Sequence, residues 1–109
     1  MDELQKRRMA RNEARFRDVN GSISAGIDRF ASDDPDSIYT LICECALESC
    51  EVMLQVSHAE YREVRSSPVR FMVHAEHVVP GVEHVVERNE RFWTIEKDGV
   101  GAAVARDLS

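Results

Sequence analysis

All three cysteines of this chain fall within one short stretch, CECALESC, and this cluster constrains the fold more than any other feature. Cys43, Cys45 and Cys50 are the only cysteines among the 109 residues. Three thiols cannot pair completely within one chain. Three thiolates at about 2.3 Å from a tetrahedral ion leave one position, which an imidazole nitrogen usually fills. The spacing therefore favours a Cys₃His metal site.

The residues on both sides of the cluster predict a β-hairpin. IYTLICEC is rich in β-branched and aromatic residues, and EVMLQVS alternates apolar with polar residues. Successive side chains of a strand point to opposite faces, so we expect Cys43 and Cys45 to point the same way and Glu44 to point outwards. Cys50 would return at the end of the connecting loop. The thiols are therefore predicted at the tip of the hairpin.

The fourth ligand must come from one of four histidines. His77 lies where a predicted third strand enters a Pro-Gly turn, so it is free to reach a neighbouring hairpin tip, and we favour it. His74 on the same strand is the second choice. His58 begins a predicted helix and is expected to face solvent, whereas His84 lies inside the last predicted hairpin.

The predicted ion is a structural Zn²⁺, because thiolates combined with one imidazole select zinc. Four protein ligands leave no open position for a catalytic water, and the sequence contains no Gly-rich phosphate loop and no H-E-x-x-H motif. We therefore expect a non-enzymatic protein. One alternative is that the three cysteines bind no metal and serve as small buried apolar residues. Another is a thiol redox sensor, which the neighbouring Glu44, Glu48 and Glu51 disfavour because negative neighbours raise thiol pKa values.

Residues 3–31 are predicted to form one long helix. Its apolar stripe recurs at steps of three and four residues and comprises Met9, Phe16, Val19, Ile23, Ile27 and Phe30. Four of these residues also follow a seven-residue step, but Asn12 and Gly26 occupy the alternating core positions of that heptad pattern. We expect the helix to pack on the protein's own sheet, and a dimer through this helix remains the alternative.

The remaining sequence predicts short elements around the hairpin. Ser57 and Glu60 have the spacing of a capping box, which opens a short helix that Pro68 closes. A third strand, a hairpin and a short C-terminal helix follow, over residues 69–77, 83–87 with 91–97, and 100–109. The predicted fold is α+β, with an N-terminal helix packed on a small antiparallel sheet and a zinc-pinned hairpin. We expect a single domain over 1–109, with the helix at 1–31 and the zinc-stabilised core at 38–105.

The distribution of charge bears on partners. The net charge of −6 disfavours general binding to nucleic acid, which needs surplus Lys and Arg. Residues 1–17 nevertheless hold six basic and three acidic groups, whereas residues 32–61 hold seven acidic groups and neither Lys nor Arg. The sequence has no apolar run long enough to span a membrane and no secretory signal, so we expect a cytoplasmic protein. A protein-interaction module is the favoured function, and a regulator that contacts nucleic acid through the basic helix end is the alternative.

The run from Cys43 to Lys97 resembles a family of small, uncharacterised bacterial proteins. That family combines C-x-C-x₄-C, an E-Y-x-x-V-R helix, a proline, an F-x-V-x-x-x-H segment and a V-V-E hairpin that ends in lysine. The matching residues here are Cys43, Cys45, Cys50, Glu60, Tyr61, Val64, Arg65, Pro68, Phe71, His77, Val85, Val86, Glu87 and Lys97. The resemblance covers roughly residues 10–105 and implies a bacterial origin and a common role for the three cysteines and His77. It implies no activity, and Glu76 stands where the family usually has glycine.

Overall fold

The computed structural model describes residues 1–28 and 34–109. Its elements are α1 (Glu3–Asp28), β1 (Ile38–Ile42), β2 (Met53–Ser57), α2 (His58–Arg65), β3 (Arg70–Val73), β4 (Glu83–Arg88), β5 (Trp93–Lys97) and α3 (Gly99–Asp107). The long N-terminal helix and the small antiparallel sheets confirm the predicted α+β class. No helix within the described ranges is long and apolar enough to cross a membrane.

The strands form two antiparallel sheets. One is the β1–β2 hairpin, in which Leu41 pairs with Leu54 and Ile42 pairs with Met53. The other has three strands in the order β3-β5-β4, with an irregularity in β4 between Val85 and Glu87. Both predicted hairpins are therefore confirmed. The cysteine loop connects the two strands of the first sheet.

The hairpin has one buried face, as its alternating sequence requires. Tyr39, Leu41, Leu54 and Val56 are at most 2% exposed and join a core that contains Phe71. Burial of apolar side chains stabilises a fold by about 25 cal/mol per Å² of apolar surface, so this alternation fixes which face points inward. The sheet alone would be only marginally stable, because two strands bury little surface.

The predicted stripe of α1 is only partly confirmed. Ile23 and Ile27 are partly buried and pack against the core, but Phe16 is also only partly buried and Val19 is 42% exposed. The predicted positions 29–31, including Phe30, lie outside the described residues. The buried positions of α1 are instead Ala10, Asn12, Glu13, Ala14, Arg17 and Asn20. The helix lies against α3 and β1. Small alanines allow close approach to these elements, and polar side chains find specific partners there.

The capping box of α2 is confirmed, because Ser57 accepts a hydrogen bond from the Glu60 backbone N–H and the Glu60 side chain accepts one from the Ser57 N–H. The expectation that His58 faces solvent is wrong. His58 is 4% exposed and its ring stacks on Tyr39 with the centroids 5.3 Å apart. The reason is that α2 folds back onto the hairpin, which places its first turn against β1.

Candidate metal centre

The cysteine loop is a direct continuation of the first hairpin. Beyond the last strand pair, the Cys43 N–H still donates to the Val52 carbonyl at 2.9 Å. The Cys50 N–H then donates to the Leu47 carbonyl at 3.0 Å, which closes a tight turn. This turn returns Cys50 to the side of the hairpin that carries Cys43 and Cys45. One short loop therefore supplies all three sulfurs.

A second turn, directly after β3, supplies the imidazole. The strand ends at Val73, four residues earlier than the sequence predicts, and the His77 N–H donates to the His74 carbonyl at 3.0 Å. Glu76 has a φ of 70°, in the left-handed region that favours glycine. A non-glycine residue there costs about 1 kcal/mol. The turn directs the His77 ring back towards the hairpin tip.

Cys43, Cys45, Cys50 and His77, called here the metal centre, have donor atoms that all lie within 4.8 Å of one another. His77 Nδ1 lies 3.5 Å from Cys43 Sγ and 3.8 Å from Cys50 Sγ. A tetrahedral ion with metal–sulfur bonds of about 2.3 Å and metal–nitrogen bonds of about 2.0 Å separates sulfur from nitrogen by about 3.6 Å. The geometry is therefore compatible with one tetrahedrally bound metal ion.

The three thiols of the metal centre have different pKa values. A hydrogen bond from Cys43 lowers the pKa of Cys45 to about 5. The same hydrogen bond, together with burial, raises the pKa of Cys43, and burial raises that of Cys50. All three cysteines are free thiols rather than a disulfide. A bound cation would replace the shared protons, because three thiolates in so small a volume need positive charge between them.

The other histidines are not part of this group. His74 is exposed, and its Nδ1 lies 3.0 Å from the Ala75 carbonyl oxygen. It contributes through its backbone, since its N–H donates to Cys43 Sγ at 3.2 Å. His58 packs on Tyr39, and His84 lies beside Asp98. The structure thus places His77, the favoured candidate, and not His74 beside the sulfurs.

Glu44 does not point into solvent, contrary to the expectation from the sequence. Its side chain is fully buried, and its carboxylate accepts hydrogen bonds from the Met72 N–H at 3.0 Å, from Asn20 Nδ2 at 2.8 Å and from the Arg65 guanidinium. The strand alternation does place Glu44 opposite the cysteines. That opposite face is covered by α1, α2 and β3 rather than by water, and the sequence pattern carries no signal for this.

Two asparagines of α1 hold the backbone on either side of the thiols. Asn20 donates to the Ile42 carbonyl and accepts from the Ile42 N–H, each at 2.8 Å. Asn12 donates to the Cys45 carbonyl at 3.4 Å. The Glu44 N–H also donates to the Met72 carbonyl at 2.8 Å. The cysteine segment is therefore tied to α1 and to β3 by hydrogen bonds.

A second group of ionisable side chains lies away from the metal centre. Lys97 Nζ contacts Glu13 Oε1 at 2.7 Å and Glu83 Oε1 at 2.9 Å, and all three side chains are fully buried. This group is called the ion cluster. Burial and the nearby Glu83 raise the pKa of Glu13 well above its ordinary 4.5. Burial opposes the charge of Lys97, but the two carboxylates raise its pKa overall.

Comparisons with protein-family models, with curated proteins and with solved structures found no match to this chain. The resemblance to a bacterial family stays a prediction. What the fold and the site define is a small α+β protein with a Cys₃His group that is compatible with metal binding.

Proposed function

We propose that this protein is a non-enzymatic, zinc-stabilised protein-interaction module of the cytoplasm. The observation that carries the proposal is the separation of His77 Nδ1 from Cys43 Sγ and Cys50 Sγ, 3.5 Å and 3.8 Å, which matches a tetrahedral ion. Three thiolates and one imidazole are the donors that zinc prefers. The reducing cytoplasm keeps such thiols available for a metal.

A structural role for the zinc follows from the number and position of its ligands. Four protein donors complete a tetrahedral shell and leave no site for a reacting water. The ligands join the hairpin tip to the turn after β3, so the ion would cross-link two segments that are separated by 27 residues between Cys50 and His77. Such a cross-link stabilises a small core, because binding energy is available only in the folded state.

The interaction role rests on the surface beside the metal centre. Leu47, in the cysteine loop, is 60% exposed, and Met53, in the last strand pair before that loop, is 51% exposed. Large exposed apolar side chains beside a rigid site favour contact with another protein. A metal-fixed loop would present Leu47 in one conformation and so lower the entropic cost of binding.

Elemental analysis of protein purified without added metal tests the zinc site. We expect about one zinc per chain, and cobalt substitution should give the absorption of a tetrahedral thiolate site. His77→Ala should lower the zinc affinity by at least about tenfold. His74→Ala is the matched control, since its ring lies beside His77 but its backbone makes the contact to Cys43.

Two results would overturn this proposal. Metal-free protein that folds as stably as the purified form would remove the structural role of the ion. Loss of zinc in His74→Ala but not in His77→Ala would show that the ligand assignment is wrong. Thiols that react rapidly with a disulfide reagent in the metal-loaded protein would instead support the redox alternative.

A further inference from the structure

A groove of about 460 Å³ runs between α1 and the cysteine loop. One wall carries Arg8, Arg11 and Arg15, and the other carries Ala46 and Glu48. The three arginines follow steps of three and four residues, which places them on one side of the helix. The groove therefore joins a basic helix face to the loop that holds the metal centre.

The arginines of this groove are available to a partner. Among residues 1–28 and 34–109, no carboxylate lies within ion-pair distance of Arg8 or Arg11. Arg15 approaches Glu48 at 3.9 Å, but the two side chains are 66% and 83% exposed, and such exposed pairs contribute little. The three arginines are a local concentration of positive charge in a chain whose net charge is −6.

The lining of the groove is not purely ionic. Met9 and Ala46 contribute apolar side chains, and most of the lining is apolar. Methionine side chains adapt their shape to apolar side chains of a partner. Asn12 also lines the groove and donates to the Cys45 carbonyl, so the groove is coupled to the backbone of the metal centre. The lining thus combines apolar side chains with guanidinium groups.

We propose that this groove binds an acidic peptide segment of a partner protein, with one apolar side chain against Met9 and Ala46 and carboxylates on Arg8 and Arg11. Guanidinium groups bind carboxylates through paired, charge-assisted hydrogen bonds, which suits this arrangement. This inference rests on the proposed function, because it identifies the partner of the interaction module. It extends that function by adding a second surface, on the α1 side of the cysteine loop, and the chemistry that this surface recognises.

An acidic peptide fits the groove better than nucleic acid does. A nucleic acid needs a row of cations that follows its phosphates, and affinity grows with each phosphate neutralised. Here Glu48 forms part of the groove, and the chain as a whole is acidic. Both features disfavour a long polyanion, whose charges extend beyond the three arginines, whereas a short peptide needs charge complementarity only within the groove.

Binding of three defined probes to the zinc-loaded full chain tests the proposal. The first probe is a short synthetic peptide of Asp and Glu interrupted by Leu and Met. The second has Ser in place of the Leu and Met, and the third is a single-stranded oligonucleotide of equal charge. We expect the first peptide to bind most tightly and to shift backbone amide NMR signals within residues 5–15 and 46–48.

Charge-reversal variants locate the binding surface. Arg8→Glu combined with Arg11→Glu should weaken binding of the apolar acidic peptide by about tenfold, since two ion pairs become repulsive. The control combines Arg62→Glu with Arg106→Glu, which changes the net charge equally at exposed positions of α2 and α3. We expect the control to weaken binding by less than about twofold.

Three outcomes would overturn the inference. They are no amide shift with peptide at about 1 mM, equal binding by the groove variant and the control, and tighter binding of the oligonucleotide through Arg8 and Arg11. Zinc content is measured on every sample. If fully zinc-loaded protein does not bind the peptide, the groove proposal is rejected and the zinc proposal stands. If protein without zinc binds the peptide, the structural role of the metal is rejected and the groove proposal stands.

Discussion

The metal centre and the ion cluster both gather ionisable side chains where water has little access, but they balance charge by opposite means. The metal centre contains three cysteines and one histidine, Cys43, Cys45, Cys50 and His77. The ion cluster contains its cation, Lys97, between two buried carboxylates. Under the zinc binding proposed above, the metal centre takes its positive charge from an external ion, whereas the ion cluster takes it from a side chain of the protein. The metal concentration should therefore control the stability of the metal centre, and pH should control the stability of the ion cluster.

The largest expected effect comes from removing a ligand of the metal centre. Cys43→Ala should abolish stoichiometric zinc binding and lower the free energy of unfolding by about 5 kcal/mol, because the ion binds the folded state alone. Chemical denaturation with and without a chelator measures this loss. With the chelator, the difference between wild type and variant should nearly disappear. A difference that persists unchanged would contradict the role of the ion.

Removing the cation of the ion cluster should have the next largest effect. Lys97→Met leaves Glu83 and Glu13 buried without a positive partner, and uncompensated buried charge costs about 4 kcal/mol. The loss should be the same with and without chelator, unlike that of Cys43→Ala. Lys6→Met on α1 is the control and should change stability by less than about 0.5 kcal/mol. Equal losses for both variants would show that the ion cluster stabilises nothing.

A smaller effect is expected from Glu44, which lies on the face of the hairpin opposite the cysteines. Glu44→Gln weakens the contact with Arg65, whose side chain is only 18% exposed, and should lower the free energy of unfolding by about 2 kcal/mol. It should also lower zinc affinity by about tenfold, because the segment between Cys43 and Cys45 loses its anchor. Competition with a chelating dye measures the affinity. Glu48→Gln, in the same loop but exposed, should leave both quantities unchanged.

The smallest effect is expected from pH, which changes the stability of the ion cluster through Glu13. The pKa of Glu13 is raised, so its contribution to stability is fully present below the ordinary carboxyl pKa of 4.5 and is lost as pH rises through the folded-state value. Glu13→Gln cannot ionise, so its stability relative to wild type should increase, by up to about 1.4 kcal/mol per pH unit, as pH rises from the ordinary carboxyl value of 4.5 towards the folded-state pKa of Glu13. Both proteins keep the same metal centre, so its own pH dependence cancels. A constant difference across this range would contradict the raised pKa.

The two regions also differ in how far the sequence revealed them. Cysteine is rare, and the spacing of Cys43, Cys45 and Cys50 allowed the thiol group and its place on a hairpin to be predicted. The choice of His77 over His74 followed from its place beside a turn, and the structure puts His77 next to the sulfurs. Glu13, Glu83 and Lys97 could not be found in this way. Glutamate and lysine are common on surfaces, and their spacing in sequence does not indicate burial.

The buried face of α1 was the main error. Periodicity selected Val19 and Phe16, but Asn20 and Arg17 are the buried residues. Asn20 bonds Ile42 and Glu44, and Arg17 donates to the Pro68 and Ala105 carbonyls. A hydrophobic stripe predicts which face is buried when the partner surface is apolar. Here the partner surface offers carbonyl groups and a carboxylate, so polar side chains face inward.

The sequence by itself determined the local features of this protein: the hairpin, the capping box of α2 and the grouping of three thiols at one tip. Each depends on residues close together in the chain, where backbone geometry and side-chain alternation act directly. The tertiary structure alone decided that Glu44 is buried, that His58 packs on Tyr39 and that Lys97 is enclosed by two carboxylates. These outcomes depend on which distant elements cover each face, and a polar residue is stable in the interior only where such an element supplies its partner.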